Sequence, residues 1–243
     1  MSIVWALLIL NLLIGVHELG HFLAAKMCKV GVDEFALGMG PKIISKKSSK
    51  SGTIYSLRWI LLGGYVKLND DDFQNSEWYK HLIIIIAGVV FNLIFALIGI
   101  WIYIFLSDII NVSFFTGFVL GFKLVFAMLR EIYIAVFELF KTVDTTSLSG
   151  PVGVVDVVSS YVSTGFINAV EIFSVLNLNL FVMNLLPIPM LDGGQAVLIL
   201  IKKLFNKKEM PKFETIWNVI GLIILGLILF FALKNDVLSL LNM

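Results

Sequence analysis

The sequence predicts a mainly α-helical, polytopic membrane protein: about four transmembrane helices, a small membrane-associated β-sheet and an interfacial amphipathic helix. Of the 243 residues, 59% are apolar and 14% are charged, and the mean hydropathy is +0.97. Water-soluble domains lie far from these values. A net charge of +1 offers no basic surplus to bind nucleic acid. The composition therefore excludes a soluble globular protein and argues against a nucleic-acid partner.

Four long apolar runs predict the transmembrane helices. They cover about 1–27, 80–107, 168–191 and 214–234, and each reaches the length of about 20 residues that a helix needs to cross a bilayer. The first run lacks the basic start and the cleavage site of a secretory signal, so we expect it to stay in the mature protein. We interpret 1–243 as one domain embedded in the lipid bilayer.

The segment of about 33–68 predicts a β-hairpin or small sheet. Lys42–Lys46 and Thr53–Leu62 are rich in β-forming residues, and the small polar residues 48–52 between them are typical of a turn. The region is partly hydrophobic, so we expect the sheet to press against the membrane.

The segment of about 112–165 predicts an amphipathic helix at the outer interface. Charged residues recur at helical spacing opposite an apolar and aromatic face that includes Phe122, Phe126 and Tyr133. A fifth transmembrane span is the alternative.

The basic residues predict the orientation. Nine of the 18 Lys and Arg residues lie between Lys26 and Lys80, and five lie between Lys202 and Lys212. Loops rich in Lys and Arg are cytoplasmic in membrane proteins. With four spans, both termini are then outside and the first and third spans run in the same direction. We expect a multi-pass protein of the inner (plasma) membrane.

The first run contains His17-Glu18-Leu19-Gly20-His21, an H-E-x-x-H motif. On a helix, two imidazoles at i and i+4 face the same way and can share a metal ion, while Glu18 beside them can act on metal-bound water. Two imidazoles, a carboxylate and an open fourth position suit zinc. Ionisable side chains inside a span are costly unless they are paired or coordinated, so the cluster indicates a functional site near the cytoplasmic face.

A third ligand is available from Asp192. The run Asn184–Gly194 interrupts the third span with two prolines and two glycines around this carboxylate, which predicts an unwound, polar-lined pocket at membrane depth. Because the first and third spans run in the same direction, His21 and Asp192 lie at similar depths. A site of His17, His21 and Asp192 is then available, and the alternative for Asp192 is an N-cap of the following helix.

Taken together, these motifs resemble the site-2 proteases, a family of intramembrane zinc metalloproteases, and most closely their RseP-type branch. Five motifs occur in the family's order: His17–His21, Gly63–Lys67, Ala87–Asn92, Ser149–Gly153 and Asn184–Gly194. The resemblance implies one zinc ion held by three ligands, a catalytic base and two substrate-binding residues. These are His17, His21 and Asp192 for zinc, Glu18 as the base, and Asn184 and Asn92 for substrate.

The resemblance also implies the activity, a zinc endopeptidase that cuts transmembrane segments such as anti-sigma factors or remnant signal peptides. Members of this branch usually carry PDZ domains between the second and third spans, but only about 60 residues separate Asp108 from Glu171 here. The chain thus resembles a member without PDZ domains. The alternative is a metal or small-solute transporter using the same polar cluster, although the sequence shows no inverted repeat.

A transmembrane substrate must unwind before it can be cut, because its peptide bonds are internally hydrogen-bonded. We expect an edge strand around Thr53–Trp59 or Tyr65–Leu68 to pair with the unwound segment. The alternative is that these strands only cap the fold.

Overall fold

The computed structural model describes residues 2–107, 112–142, 145, 148–207 and 210–241, apart from the side chains of Leu62 and Phe140. Eight helices and two strands form in these ranges. In chain order they are α1 (Ser2–Met27), β1 (Val32–Lys47), β2 (Ile54–Leu68), α2 (Asp70–Asn75), α3 (Trp78–Leu106), α4 (Phe114–Thr142), α5 (Pro151–Ser163), α6 (Phe166–Leu185), α7 (Asp192–Leu204) and α8 (Pro211–Leu241).

Four helices, α1, α3, α6 and α8, are long and apolar enough to cross a membrane, which confirms the four predicted spans. Their bounds differ from the prediction at two places. The third run was expected to reach residue 191, but α6 ends at Leu185 because prolines follow at 187 and 189. The fourth run was expected to end near residue 234, but α8 continues to Leu241.

Contacts between the helices define their directions. His21 meets Ile84 and His17 meets Asn92, so α1 and α3 are antiparallel. We call the end of the bundle where α1 leads into β1 the sheet end, and the other end the far end. The first residues of α8 lie at the sheet end, where Glu214 pairs with Lys202, and its last turns reach the far end. Both ends of the described chain therefore lie at the far end.

Helix α3 is at the centre of the bundle, since it packs against α1, α4, α6 and α7. One apolar cluster joins α3 to α4 and α6, and its buried members are Ala96, Ile100, Ile104, Val125 and Leu178. A second cluster joins α1 to α5 and α6 through Ala6, Leu10, Leu13, Val158 and Ile172. Each cluster buries apolar surface between the helices, so that lipid does not cover it.

The two strands form an antiparallel sheet in which each strand is long and bent. Residues 34–37 of β1 pair with 64–67 of β2 on one side and with 54–57 on the other, and residues 42–47 pair with 54–58. The segment 54–58 is thus paired on both sides. The prediction that Thr53–Trp59 offers a free edge is wrong, and the edges of the sheet are 42–47 and 64–68.

The sheet lies alongside α1 instead of beyond its end. Phe35 packs edge-to-face on Phe22, and Gly64 lies against Ile14 and Glu18. The sheet therefore reaches the level of the H-E-x-x-H motif. Its outer surface exposes large apolar side chains, as expected for contact with the membrane. They are Met39, Ile43, Ile44, Trp59 and Ile60.

Glu34 holds the bend of the sheet together. Its carboxylate accepts a hydrogen bond from the Ser56 hydroxyl at 2.6 Å and forms ion pairs with Arg58 at 2.9 Å and Lys42 at 3.1 Å. Burial alone would raise the pKa of Glu34, but the hydrogen bonds from Ser56, Lys42 and Arg58 outweigh it and lower the pKa to about 2.

This lowered pKa predicts a pH-dependent contribution to stability. The ionised Glu34 stabilises the folded protein above the usual glutamate pKa, and this contribution disappears as the pH falls from about 4.5 towards 2. At neutral pH we expect Glu34→Gln to lower the free energy of unfolding by about 1–2 kcal/mol. Thermal unfolding in detergent at several pH values measures the difference from wild type. The difference should shrink with acidification, and Glu138→Gln, at an exposed position of α4, serves as the control. A difference that stays constant with pH contradicts the assignment.

Helix α4 crosses the far end of the bundle. Near its start, the Trp101 indole of α3 donates a hydrogen bond to the Phe118 carbonyl. Its last residue precedes Thr145, whose carbonyl accepts a hydrogen bond from Asn235 of α8. The helix carries exposed aromatic side chains along one face, including Phe122, Phe126 and Tyr133. An amphipathic helix therefore forms in the predicted segment, which also contains a second helix, α5. The position of α4 at the outer interface stays a prediction.

The start of α5 is held by α8. The buried carboxylate of Asp236 accepts hydrogen bonds from the backbone amides of Gly150 and Val152, both at 2.9 Å. These amides lie at the start of α5, and the first amides of a helix have no carbonyl acceptor within the helix. The Ser149–Gly153 motif thus serves as the contact between α5 and α8.

Candidate metal centre

Helix α1 presents two histidines towards the centre of the bundle. His17 and His21 are one turn apart, so their side chains leave the same face of the helix. Their Nε2 atoms lie 3.1 Å apart, and the ring planes are nearly perpendicular at 87°. Both side chains are largely buried, with 12% and 14% exposed.

Asp192 completes the cluster from the other end of the chain. Its Oδ2 lies 3.1 Å from Nε2 of His17 and 3.5 Å from Nε2 of His21. Asp192 is the first residue of α7, and the N-cap is Leu191. The alternative interpretation of Asp192 as an N-cap is therefore wrong.

The loop between α6 and α7 brings this carboxylate into position. Residues 187–191 are non-helical, as the two prolines predict, and Met190 adopts a positive φ of 73°. A Cβ on Gly194 would lie only 2.0 Å from the Ile188 carbonyl oxygen. A residue larger than glycine would push α7, and Asp192 with it, away from the histidines.

The three ligand atoms have the spacing of a zinc site. In tetrahedral coordination with bonds of about 2.0–2.1 Å, neighbouring ligand atoms lie about 3.3 Å apart. The three distances here are 3.1, 3.1 and 3.5 Å. His17, His21 and Asp192 form the one group in the described ranges that could hold a metal ion. Two imidazoles and a carboxylate fit zinc and leave a fourth position for water.

The other ring nitrogens of both histidines face α3. Nδ1 of His21 lies 2.8 Å from the Ile84 carbonyl oxygen, and Nδ1 of His17 lies 3.0 Å from the side-chain amide of Asn92. The Nε2 atoms are thus the ones directed at the metal position. Between these two contacts lies Gly88, where a Cβ would be 2.4 Å from Nε2 of His21. The missing side chain makes room for the imidazoles.

Glu18 lies between α1 and the sheet. Its Cγ is beside Gly64, and its carboxylate interacts with the backbone of Val66. The acid that the motif predicts as the base therefore faces the free edge of β2. The Glu18 carboxylate can therefore exchange protons with a ligand at the metal position and with a peptide at the strand edge.

The two asparagines predicted to bind substrate occupy different environments. Asn184 is partly exposed in the last turn of α6, close in sequence to the loop that carries Asp192. Asn92 is fully buried against His17, so its position does not support direct contact with substrate. Sequence reasoning missed Ile84 and the role of Gly88. Their spacing with Asn92, one residue per helical turn, was the available signal.

Comparison with known proteins decides the family. The model for "Peptidase family M50" matches residues 5–228, nearly the whole chain. The chain belongs to peptidase family M50. M50 peptidases are the site-2 proteases, so the predicted family is confirmed, and the protein is an intramembrane zinc metalloprotease.

Relatives within the M50 family agree. A protein of Clostridium acetobutylicum named as a zinc metalloprotease is 27% identical over 97% of both chains. Another so named, from Fusobacterium nucleatum, is 25% identical over 100% of both. Protease RseP of Yersinia pestis is 36% identical over 117 residues, which are 42% of this chain and 26% of that protein. The predicted zinc cofactor is confirmed by these names, and nothing favours the transporter alternative.

The region between the second and third spans bears on the PDZ domains. The alignment with the Clostridium relative extends over 332 positions. This exceeds the 243 residues of the present M50 chain, so that relative has residues without a counterpart here. In the described part of the chain between α3 and α6, the elements are the helices α4 and α5. The resemblance to a member without PDZ domains agrees with this organisation.

Proposed function

We propose that this M50 peptidase cuts transmembrane segments of membrane proteins at a zinc ion held by His17, His21 and Asp192, with Glu18 as catalytic base. The observation that carries the proposal is the triangle of ligand atoms, with sides of 3.1, 3.1 and 3.5 Å, in the interior of a bundle of membrane-spanning helices. Ionisable groups at such depth are rarely kept without a function.

In the proposed mechanism, His17, His21 and Asp192 would hold a zinc ion, which when bound would supply Lewis acidity and a water of lowered pKa. Glu18 accepts the proton of the attacking water and then donates it to the nitrogen of the leaving amine. The backbone around Val66 orients the Glu18 carboxylate. Asn184, at the end of α6, donates its side-chain amide to the substrate backbone or to the negative charge that develops on the carbonyl oxygen.

The proposed substrates are transmembrane helices that unwind locally, such as anti-sigma factors or remnant signal peptides. A relative named as the protease RseP supports membrane proteins as the substrate class. The metal position lies along the length of α1 and not at its end, which supports cleavage within the bilayer.

For orientation, we propose that the sheet end faces the cytoplasm of a cell whose inner (plasma) membrane holds the protein. In the sequence, 14 of the 18 Lys and Arg residues fall between Lys26 and Lys80 or between Lys202 and Lys212, and the described residues of both segments connect helices at this end. Both termini are then outside, and the metal site is closer to the cytoplasmic face.

The free edge of β2 is the proposed docking strand for the unwound substrate. Residues 64–68 pair with β1 on one side only, and the Val66 backbone lies at the Glu18 carboxylate. An extended peptide added to this edge would place its own backbone next to the base. The opposite edge, residues 42–47, has no comparable contact with α1 in the described structure.

The experiment that tests this function uses purified protein in detergent and a model transmembrane substrate, with the cut bond mapped by mass spectrometry. We expect a cut inside the apolar segment. Proline at the docking edge should reduce cleavage by at least about tenfold, because proline has no amide hydrogen for an added strand. Leu68→Pro is the test variant, and Lys47→Pro on the opposite edge is the matched control, because each is the last residue of its strand and its amide points away from the paired strand.

Two results would contradict the proposal. A cut only in the soluble flanks of the substrate would show that the protein is not acting on the transmembrane segment. Equal cleavage by Leu68→Pro and Lys47→Pro, with equal zinc content, would mean that the strands only cap the fold.

A further inference from the structure

The two histidines of the metal centre are held by α3 in different ways. The Nδ1 atom of His21 is bound by a backbone carbonyl, that of Ile84, whereas the Nδ1 atom of His17 is bound by a side chain, that of Asn92. A backbone carbonyl stays when the side chain is changed. The orientation of His17 therefore depends on the identity of residue 92.

We propose that Asn92 is a positioning residue, whose carboxamide oxygen accepts the Nδ1 hydrogen of His17 and keeps its Nε2 directed at zinc. The inference rests on the proposed ligand set. It gives Asn92 a role through His17 in place of the substrate contact that the sequence predicted.

The chemistry of a ligating imidazole supports this role. A histidine that binds a metal through Nε2 carries its proton on Nδ1, so Nδ1 must donate. The partner has to be an acceptor. Of the two polar atoms of Asn92, only the oxygen meets this requirement, and a half-turn of the terminal amide exchanges oxygen and nitrogen without moving other atoms.

The surroundings of Asn92 support it as well. The residue is 0% exposed, and its Oδ1 has no hydrogen-bond partner within the described ranges while its nitrogen lies 3.0 Å from Nδ1 of His17. A buried acceptor without a donor is costly. Turning the amide gives that oxygen the Nδ1 hydrogen of His17.

The position of Asn92 on α3 explains why the contact is specific. Ile84, Gly88 and Asn92 follow one another at intervals of one helical turn, so they line one stripe facing α1. The first and third residues contact the imidazoles, and the glycine between them leaves the space that the rings fill. This stripe orients both histidines as a unit.

Zinc affinity is the measurement that separates positioning from a general effect on structure. Loss of an outer hydrogen bond to a ligating histidine typically weakens metal binding by about 10–100-fold. We expect this loss of zinc affinity in Asn92→Leu. We expect it in Asn92→Ala as well, a variant that removes the acceptor without adding bulk. Asn92→Asp keeps an acceptor oxygen and should bind zinc within about threefold of wild type.

Asn177→Leu is the matched control. Asn177 is also fully buried in a spanning helix, but its side-chain amide bonds to the Phe173 carbonyl of its own helix, at 2.9 Å. Its replacement removes a buried asparagine without touching a histidine. We expect zinc affinity like that of wild type.

The experiment titrates purified full-length protein in detergent with zinc against a competing chelator, and records the absorption spectrum of the cobalt-substituted form. Wild-type affinity in both Asn92→Leu and Asn92→Ala would overturn the inference, as would an equal loss in Asn177→Leu or a failure of Asn92→Asp to restore binding. Wild-type protein that binds no zinc would overturn the ligand set itself. Weak binding in the Leu and Ala variants, with an altered cobalt spectrum, is the expected result.

Discussion

Replacing Glu18 with glutamine is expected to reduce cleavage of a transmembrane substrate by about 100- to 10,000-fold, the range that a lost general base commonly costs. Glutamine has nearly the same shape as glutamate, but it cannot accept the proton of the attacking water. The zinc content should remain at one per chain, because Glu18 is not among the three residues whose ligand atoms converge. Cleavage and metal content are measured on the same purified samples.

Glu171→Gln provides the control for this substitution. Glu171 lies in the first half of α6, towards the far end, so the same chemical change is made in a spanning helix away from the metal position. Its cleavage rate should match that of wild type. Retained cleavage by Glu18→Gln would remove Glu18 from the mechanism and leave the base to be found elsewhere.

Replacing Asp192 with alanine is expected to abolish zinc binding and cleavage together. Two imidazoles remain, but the third ligand atom, 3.1 and 3.5 Å from their Nε2 atoms, is lost. Catalytic zinc sites generally need three protein ligands, so we expect the affinity for zinc to fall by at least about 100-fold. Metal analysis after dialysis, beside the cleavage assay, measures both effects.

Asp156→Ala is the matched control, because Asp156 is an exposed aspartate on α5. It should retain zinc and activity. If Asp192→Ala kept its zinc, the carboxylate would be no more than the first residue of α7, and the metal would need another third ligand.

Much of the fold was predictable from the sequence because the membrane imposes strong local constraints. A helix that crosses a bilayer needs about 20 apolar residues, so α1, α3, α6 and α8 could be located by run length alone. The convergence of the three candidate metal ligands was predictable for a similar reason. The spacing of His17 and His21 fixes their common face, and the two prolines before Asp192 mark an unwound stretch of the third apolar run.

Other features depend on contacts between distant segments, which periodicity does not encode. The sequence of segment 54–58 predicts a strand. The two strand segments that pair with it are set by the bends of β1 and β2, so its position inside the sheet, and not at an edge, could not be predicted. The contacts of Ile84 and Asn92 with the histidines depend on how α1 and α3 cross. The resemblance indicated that Asn92 belonged to the site, but the partner of its side chain required the structure.

The hydrogen bonds between the Asp236 carboxylate and the start of α5 have a consequence for sequence variation. A Cβ at position 150 would lie 2.4 Å from the Asp236 carboxylate, and one at position 153 would lie 2.9 Å from it. The two glycines and the acid are thus sterically interdependent, although Asp236 lies 83 or more positions after the glycines in the chain. In homologues, a bulkier residue at either glycine should coincide with loss of the acid, so this trio should evolve by paired replacements and independently of the zinc ligands.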